Sequence, residues 1–338
     1  MALVKRQRTT NEVGDLINLN GNQNEDQNKT LYSDAVILEG HEGSVLATKF
    51  SKDGSRLASG GFDSKILLWN LPVDEYDDSP NYGVLSGHKS SVLAVRWYDE
   101  NLLVSASADH TVGYWDHNTG TRIKKGTGHK AIVNDIDVNC DGLALSVGDD
   151  GIAFIWDQRE KLPLEGVHND YPLLSCSFSN QGNLFFVSGI DPTLRAFDIR
   201  KYTEPLWECE GQLESITSIS ITKDDSMLLS RSMDGVIRTY SARDFVPSGL
   251  SRLSPYTYEG AISGSEFQLI RATFSPDNIN ISSGSEDLTV TTWDIKSRKI
   301  INKLHGHNGT VIDVDYHPSK KILASGSTDG NIIVREIV

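Results

Sequence analysis

The sequence predicts an all-β fold of seven four-stranded blades closed into a ring, a seven-bladed β-propeller. Two repeated anchors carry that expectation. Asp63, Asp109, Asp150, Asp191, Asp234, Asp287 and Asp329 each stand six residues before a bulky position, filled in turn by Trp69, Trp115, Trp156, Phe197, Tyr240, Trp293 and Arg335. Successive aspartates are 46, 41, 41, 43, 53 and 42 residues apart, close to the roughly 40 to 45 of one four-stranded blade. The second anchor lies 21 to 23 residues upstream: Gly40-His41, Gly87-His88, Gly128-His129 and Gly306-His307, with His168 alone and Gly211-Gln212 at matching places.

Between the anchors each repeat reads the same way. In the first, residues 45–50 are an alternating apolar strand, Lys52-Asp53-Gly54 forms a polar turn, and Leu57-Ala58-Ser59-Gly60 is a strand of small residues. Period-two strands broken by Gly, Asp and Asn turns specify antiparallel sheet. After Arg335 the chain ends at Val338, which leaves three strands for the last blade. The missing fourth is expected at the other end, as Ala35-Val36-Ile37-Leu38, pairing into the last blade and leaving only short protected edges.

Two anchors at fixed spacing through seven repeats resemble the WD-repeat family. In that family a His, a Ser or Thr, an Asp and a Trp of one repeat form a hydrogen-bonded tetrad. The resemblance implies complete sets at His41, Ser59, Asp63, Trp69, at His88, Ser105, Asp109, Trp115, and at His129, Ser146, Asp150, Trp156. A carboxylate in a tight turn accepts from backbone N–H groups and an imidazole, and a hydroxyl bridges imidazole to indole. Repeat seven keeps His307, Ser325 and Asp329 but has Arg335 in place of the indole. Repeat four has Val187 and Phe197 at the serine and tryptophan positions, and repeat six offers Ser265 where histidine is expected. Those blades are expected to be held mainly by packing. Ser, His and Asp also suggest a hydrolytic triad, but the trio recurs in several blades whereas a catalytic constellation appears once.

A length of 338 residues suggests two domains. The repeat overrides this and assigns residues 34–338 to one ring, since blades share a closed structure. Residues 1–33 are rich in Asn, Gln, Asp and Glu and are expected to be a disordered tail. Its cluster of Lys5, Arg6 and Arg8 is either solvated or a weak import or docking signal. No run approaches the roughly 18 apolar residues of a membrane span, and the amino end has no signal-peptide core. Cytosol or nucleus is the expected compartment. Cys140, Cys176 and Cys209 lack metal-ligand spacing and are expected to be reduced.

No phosphate-binding glycine loop, metal cluster or isolated carboxylate pair stands apart from the repeat, so no catalytic, cofactor or metal residues are assigned. A formal charge of −14 opposes the phosphate contacts that dominate nucleic-acid affinity; the one local basic surface would come from Arg195, Arg200, Lys201, Arg231 and Arg238. Protein interaction is the expected role. Two insertions, 72–82 with four acidic residues and 244–264, interrupt the rhythm where binding loops are often added.

In WD-repeat proteins the face bearing the turn aspartates and Gly-His loops is often the docking surface. The resemblance therefore points to the residues just before the aspartates, Phe62, Ala108, Asp149, Ile190, Met233, Glu286 and Thr328, as the rim of the central opening. The candidate partner-binding set is Phe62, Asp149, Ile190, Arg231, Met233 and Glu286, in which exposed apolar groups beside an arginine suit an interface core.

Within the family, Val4-Lys5-Arg6-Gln7-Arg8, Leu38-Glu39-Gly40-His41-Glu42-Gly43, the run from Gly61-Phe62-Asp63 to Trp69-Asn70, Ser232-Met233-Asp234 and Arg243-Asp244-Phe245-Val246-Pro247 resemble its spliceosomal, U5-associated branch. That resemblance implies a non-catalytic nuclear subunit acting in pre-mRNA splicing. It would dock on the large central U5 protein among other spliceosome subunits, with RNA contact secondary and no membrane or small-molecule substrate. The acidic insertion, the lost anchors Gln212 and Tyr240, and residues 254–264 depart from that branch. Trp156-Asp157-Gln158-Arg159 and Phe197-Asp198-Ile199-Arg200 resemble instead the signature of cullin-type ubiquitin-ligase substrate receptors, an alternative reading alongside another WD-repeat assembly scaffold.

Overall fold

The computed structural model describes residues 4–5, 35–71, 80–160, 162–243, 252, 256–264, 266 and 268–337. The described residues form seven antiparallel sheets and no helix. Blade one comprises Val45–Phe50, Arg56–Gly61, Lys65–Asn70 and Asn81–Ser86. Five further sheets repeat that order, beginning at Val92–Trp97, Val133–Val138, Leu173–Phe178, Ile216–Ile221 and Ala272–Phe274. The first strands of neighbouring blades pack against one another all the way round, so they line the centre.

Blade seven is built from both ends of the chain. Val311–Tyr316, Ile322–Ser327 and Asn331–Glu336 are joined by Ala35–Glu39, in register from Ala35 opposite Arg335 to Glu39 opposite Asn331. The ring is thus closed by the N-terminal strand. Val4–Lys5 pairs outside it, Val4 opposite Leu38 and Lys5 opposite Ile37. The rest of the expected tail, with Arg6 and Arg8, lies outside the described residues, as do residues 72–79 of the acidic insertion. The longer insertion contains Tyr256–Tyr258, the outer strand of blade five.

The apolar cores lie between blades, where the face of one sheet packs on the next. Val36, Leu38 and Val334 of blade seven pack with Leu57 and Trp69 of blade one. Trp69, Trp115, Trp156 and Trp293 are each at most 1% exposed. At 150–250 Å² per buried indole and about 25 cal/mol per Å², each contributes roughly 4–6 kcal/mol before entropic costs. The small residues of the second strands have a packing reason. A Cβ on Gly60 would sit 2.8 Å from Val92 of the next blade, and one on Gly326 would sit 2.8 Å from Val45.

Polar groups stitch the inner ring. Asp313 and Asp315 accept from the backbone N–H groups of Thr48 and Phe50 at 2.7 and 2.9 Å, and Asp135 and Asp137 from those of Cys176 and Phe178 at 3.2 and 2.7 Å. Each carboxylate satisfies a donor on the following blade. Cys140, Cys176 and Cys209 are free thiols, and burial pushes Cys209 up to about 11.

Candidate docking face

Turns between the second and third strands of each blade share one face with the loops entering the next blade, and the tetrads are built there. In blade one, His41 in the entering loop lies 2.8 Å from Ser59 Oγ through Nε2 and 3.1 Å from Asp63 through Nδ1. The Trp69 indole donates to the same Ser59 Oγ at 3.0 Å. An ionised carboxylate only accepts, so Asp63 calls the ring proton of a neutral His41 to Nδ1; Nε2 then accepts from the Ser59 hydroxyl, whose oxygen accepts from the Trp69 indole. Asp63 also accepts from the N–H groups of Glu42 and Lys65. Burial pushes the Asp63 carboxyl up, but the bonds from His41 and these N–H groups outweigh it and hold it at about 2.

Blades two and three repeat the geometry. His88 meets Ser105 at 2.7 Å and Asp109 at 3.1 Å, with Trp115 donating to Ser105 at 2.8 Å. His129 meets Ser146 at 2.7 Å and Asp150 at 3.0 Å, with Trp156 donating at 2.7 Å. In blade seven His307 reaches Ser325 and Asp329 at 2.8 and 3.1 Å, while Arg335 donates to the His305 carbonyl at 2.7 Å.

Blade five departs from the expectation that Gln212 and Tyr240 are lost anchors. The Gln212 amide donates to Ser230 Oγ and, at 2.9 Å, to Tyr240 Oη. Arg238 then donates to Gln212 Oε1 at 2.9 Å and to Asp234 at 3.0 Å. An amide, a guanidinium and a phenol thus rebuild the relay. Blades four and six lack it. His168 is exposed, Asp191 pairs with Arg195 at 2.6 Å, and Phe197 stacks on Phe185 with centroids 5.2 Å apart. In blade six Trp293 donates to the Glu259 carbonyl at 2.9 Å and Lys303 pairs with Asp287 at 2.9 Å; Ser265 lies outside the described residues.

The turn residues are joined around the face by hydroxyls of the next blade. Ser91 donates to the Phe62 carbonyl at 3.4 Å and Ser215 to the Ile190 carbonyl at 3.1 Å. Phe62 is 66% exposed and Ile190 48%. Asp149 is exposed and accepts from Asn134 at 2.6 Å. Met233 is half-buried, and Glu286 Oε1 accepts from the N–H groups of Gly264 and Glu266, which orders the loop beside it.

Arg231 does not reach this surface. It is fully buried, donates to Ser283 Oγ at 2.6 Å on blade six, and burial pushes its pKa down to about 10. Strand parity is the reason: Ser230 faces the blade-five relay, so Arg231 faces the neighbouring sheet. Ion pairing reduces the possible basic surface. Arg195 pairs with Asp191 and Glu208, and Arg238 with Asp234, leaving Arg200 and Lys201 exposed.

Three exposed apolar residues of this face were not singled out from the sequence. Leu213 is 80% exposed, Ile262 58% and Tyr171 55%. Backbone contacts connect them: Ile190 N–H donates to Pro172, Met233 N–H to Ser215, and Glu286 N–H to Ile262. Tyr171, Ile190, Leu213, Met233 and Ile262 therefore form an apolar arc over blades four to six. Position gives the signal for Leu213. It follows the histidine-equivalent residue, where other blades carry Glu42, Lys89, Lys130 and Asn308.

The central channel holds a polar cavity of about 360 Å³. Its carboxylates are engaged: Arg96 pairs with Asp135 and Asp137, and Arg271 with Asp135 and Asp313. On the opposite face, the carboxylates of Asp157 and Asp198 accept from the N–H groups of Arg159 and Arg200 and so cap their own turns. Among the described residues no three His, Cys, Asp or Glu side chains converge as a metal requires, and no helix is long and apolar enough to cross a membrane.

A family model described as WD domain, G-beta repeat, matches residues 33–70, 80–116, 120–157, 203–241 and 298–335. The stretches between 157 and 203 and between 241 and 298 hold most of blades four and six, the two without a relay. The U5 small nuclear ribonucleoprotein 40 kDa protein of Dictyostelium discoideum is 37% identical over 303 residues, covering 89% of this chain and 83% of that protein. Pre-mRNA-splicing factor cwf17 of Schizosaccharomyces pombe is 36% identical over 301 residues, 88% of this chain and 86% of its own length. The Homo sapiens U5 small nuclear ribonucleoprotein 40 kDa protein is 36% identical over 311 residues, 91% and 85% of the two chains.

Proposed function

The chain belongs to the WD-repeat β-propeller family, together with the U5 small nuclear ribonucleoprotein 40 kDa proteins, and from that premise we propose that it is a non-catalytic scaffold of the spliceosome. The observation that carries this reading is the 36–37% identity to two proteins named for the U5 particle and one named a splicing factor, running through about nine-tenths of the chain. In this reading the chain resides in the nucleus and docks on the large central U5 protein during pre-mRNA splicing.

The docking surface we propose is the face of the turn aspartates, with Phe62 on one side and the arc Tyr171, Ile190, Leu213, Met233 and Ile262 on the other. Exposed apolar groups on turns and loops held by rigid sheets supply the desolvated centre of an interface. Around the arc, Asp170, Glu210, Glu214 and Glu266 are exposed. Their charge favours basic segments of a protein partner and disfavours RNA as the main contact.

Affinity purification of the tagged chain from nuclear extract, followed by mass spectrometry and detection of U5 RNA, tests the assignment. Recovery of U5 proteins with U5 RNA is expected. Recovery of a cullin and its adaptor, or of no splicing protein, would overturn it.

A further inference from the structure

We propose that the face opposite the aspartate turns carries a second binding site, a lysine-rimmed groove between blades six and seven that takes an acidic peptide segment anchored by an apolar side chain. The turns joining first to second strands lie at the far end of each blade from the aspartates. Three of them, from blades five, six and seven, enclose a cavity of about 480 Å³, within the roughly 300–1,000 Å³ typical of ligand sites.

The floor is apolar. Pro276, Ile279, Pro318, Tyr316 and Ile337 line it, and Ile279 is 50% exposed. The Tyr316 hydroxyl is already engaged with Ser282 Oγ at 2.6 Å, so its ring serves as surface rather than as a donor to a ligand. The rim is basic. Lys223, Lys320 and Lys321 are exposed, and none pairs with a carboxylate among the described residues. Lys223 instead donates to the Pro318 carbonyl at 3.1 Å, which holds its ammonium over the groove.

Asp277, the one lining carboxylate among the described residues, does not neutralise them. It accepts from Ser275 Oγ and from Ile279 N–H at 3.0 Å, so it serves its own turn. Three lysines without a carboxylate partner among the described residues, on a chain of formal charge −14, mark the groove for an anionic partner. A peptide fits better than RNA for two reasons. The floor suits a Leu, Phe or Trp side chain, and the Asn280 side-chain oxygen is buried without a partner, a place for a donor such as a peptide N–H.

A random-peptide phage library panned on the whole chain should enrich sequences in which Asp or Glu flank Leu, Phe or Trp. A labelled synthetic peptide of the enriched sequence should lose about tenfold or more in affinity with Lys320→Glu/Lys321→Glu, weaken with added salt, and lose binding with Ile279→Asp. All three positions are exposed, so thermal unfolding should stay unchanged in these variants. The proposal is overturned if no acidic sequence is enriched, or if both variants leave the peptide affinity unchanged. It is equally overturned if a uridine-rich RNA oligonucleotide is the probe whose binding depends on these residues.

Discussion

Gln212 and Tyr240 meet at 2.9 Å inside blade five, the amide donating to the phenolic oxygen. The pair joins Arg238 and Asp234 in a chain that spans the same gap as imidazole and indole elsewhere. Tyr240→Phe keeps the ring and removes one acceptor, so it should cost about 1 kcal/mol. Gln212→Ala strands more buried groups and should cost about 2–3 kcal/mol. A double-mutant cycle read by urea unfolding should give a coupling of about 0.5–3 kcal/mol; zero coupling would mean the two side chains do not act as a unit.

Ser59 stands at the centre of the blade-one tetrad, receiving the Trp69 indole proton and donating to His41. Ser59→Ala leaves both nitrogens buried without that partner. A loss of about 2–4 kcal/mol is expected, and a change under about 0.5 kcal/mol, the usual size at uninvolved surface sites, would show that packing alone holds this blade.

Ring closure rests on five residues, Ala35–Glu39, of which Val36, Ile37 and Leu38 are buried. Deleting residues 1–38 should open blade seven and lower the thermal midpoint by many degrees. An unchanged midpoint would show that the ring does not need this strand.

Stability should fall with acid in two windows. His88 is held below its usual 6.5, because burial outweighs the attraction of Asp109. The unfolded chain therefore takes up a proton that the folded chain refuses, and stability declines as pH drops below about 6.5. Asp63, Asp109 and Asp287 are each pushed up by burial but held at about 2 by their hydrogen-bond donors, against an ordinary 3.8. Their contribution is present above about pH 4 and is lost as pH falls toward 2. Urea midpoints measured from pH 8 to 2 should show both declines; a rise between 6.5 and 5 would contradict a His88 that resists protonation.

The ring was legible because its anchors obey strict geometry: a carboxylate stands in the turn of all seven repeats, with an indole six residues on in four of them. What stayed hidden came from substitution and parity. Gln212 looked like a lost histidine because one residue type does not reveal that Arg238, four positions after Asp234, completes the link. Arg231 looked like a rim residue because its neighbour Met233 is, although strand alternation from Ser230 turns it inward. Leu213 was visible in principle as an apolar residue at a position polar in four other blades.

Docking through the apolar arc is tested most directly by a photo-crosslinking residue placed at Leu213, on the arc, or at Ile123, 52% exposed on the outer strand of blade two, followed by mass spectrometry of the adducts formed in nuclear extract. Leu213 should capture a basic segment of a U5 protein and Ile123 should not. Adducts to U5 proteins from Ile123 with none from Leu213 would contradict docking through this face.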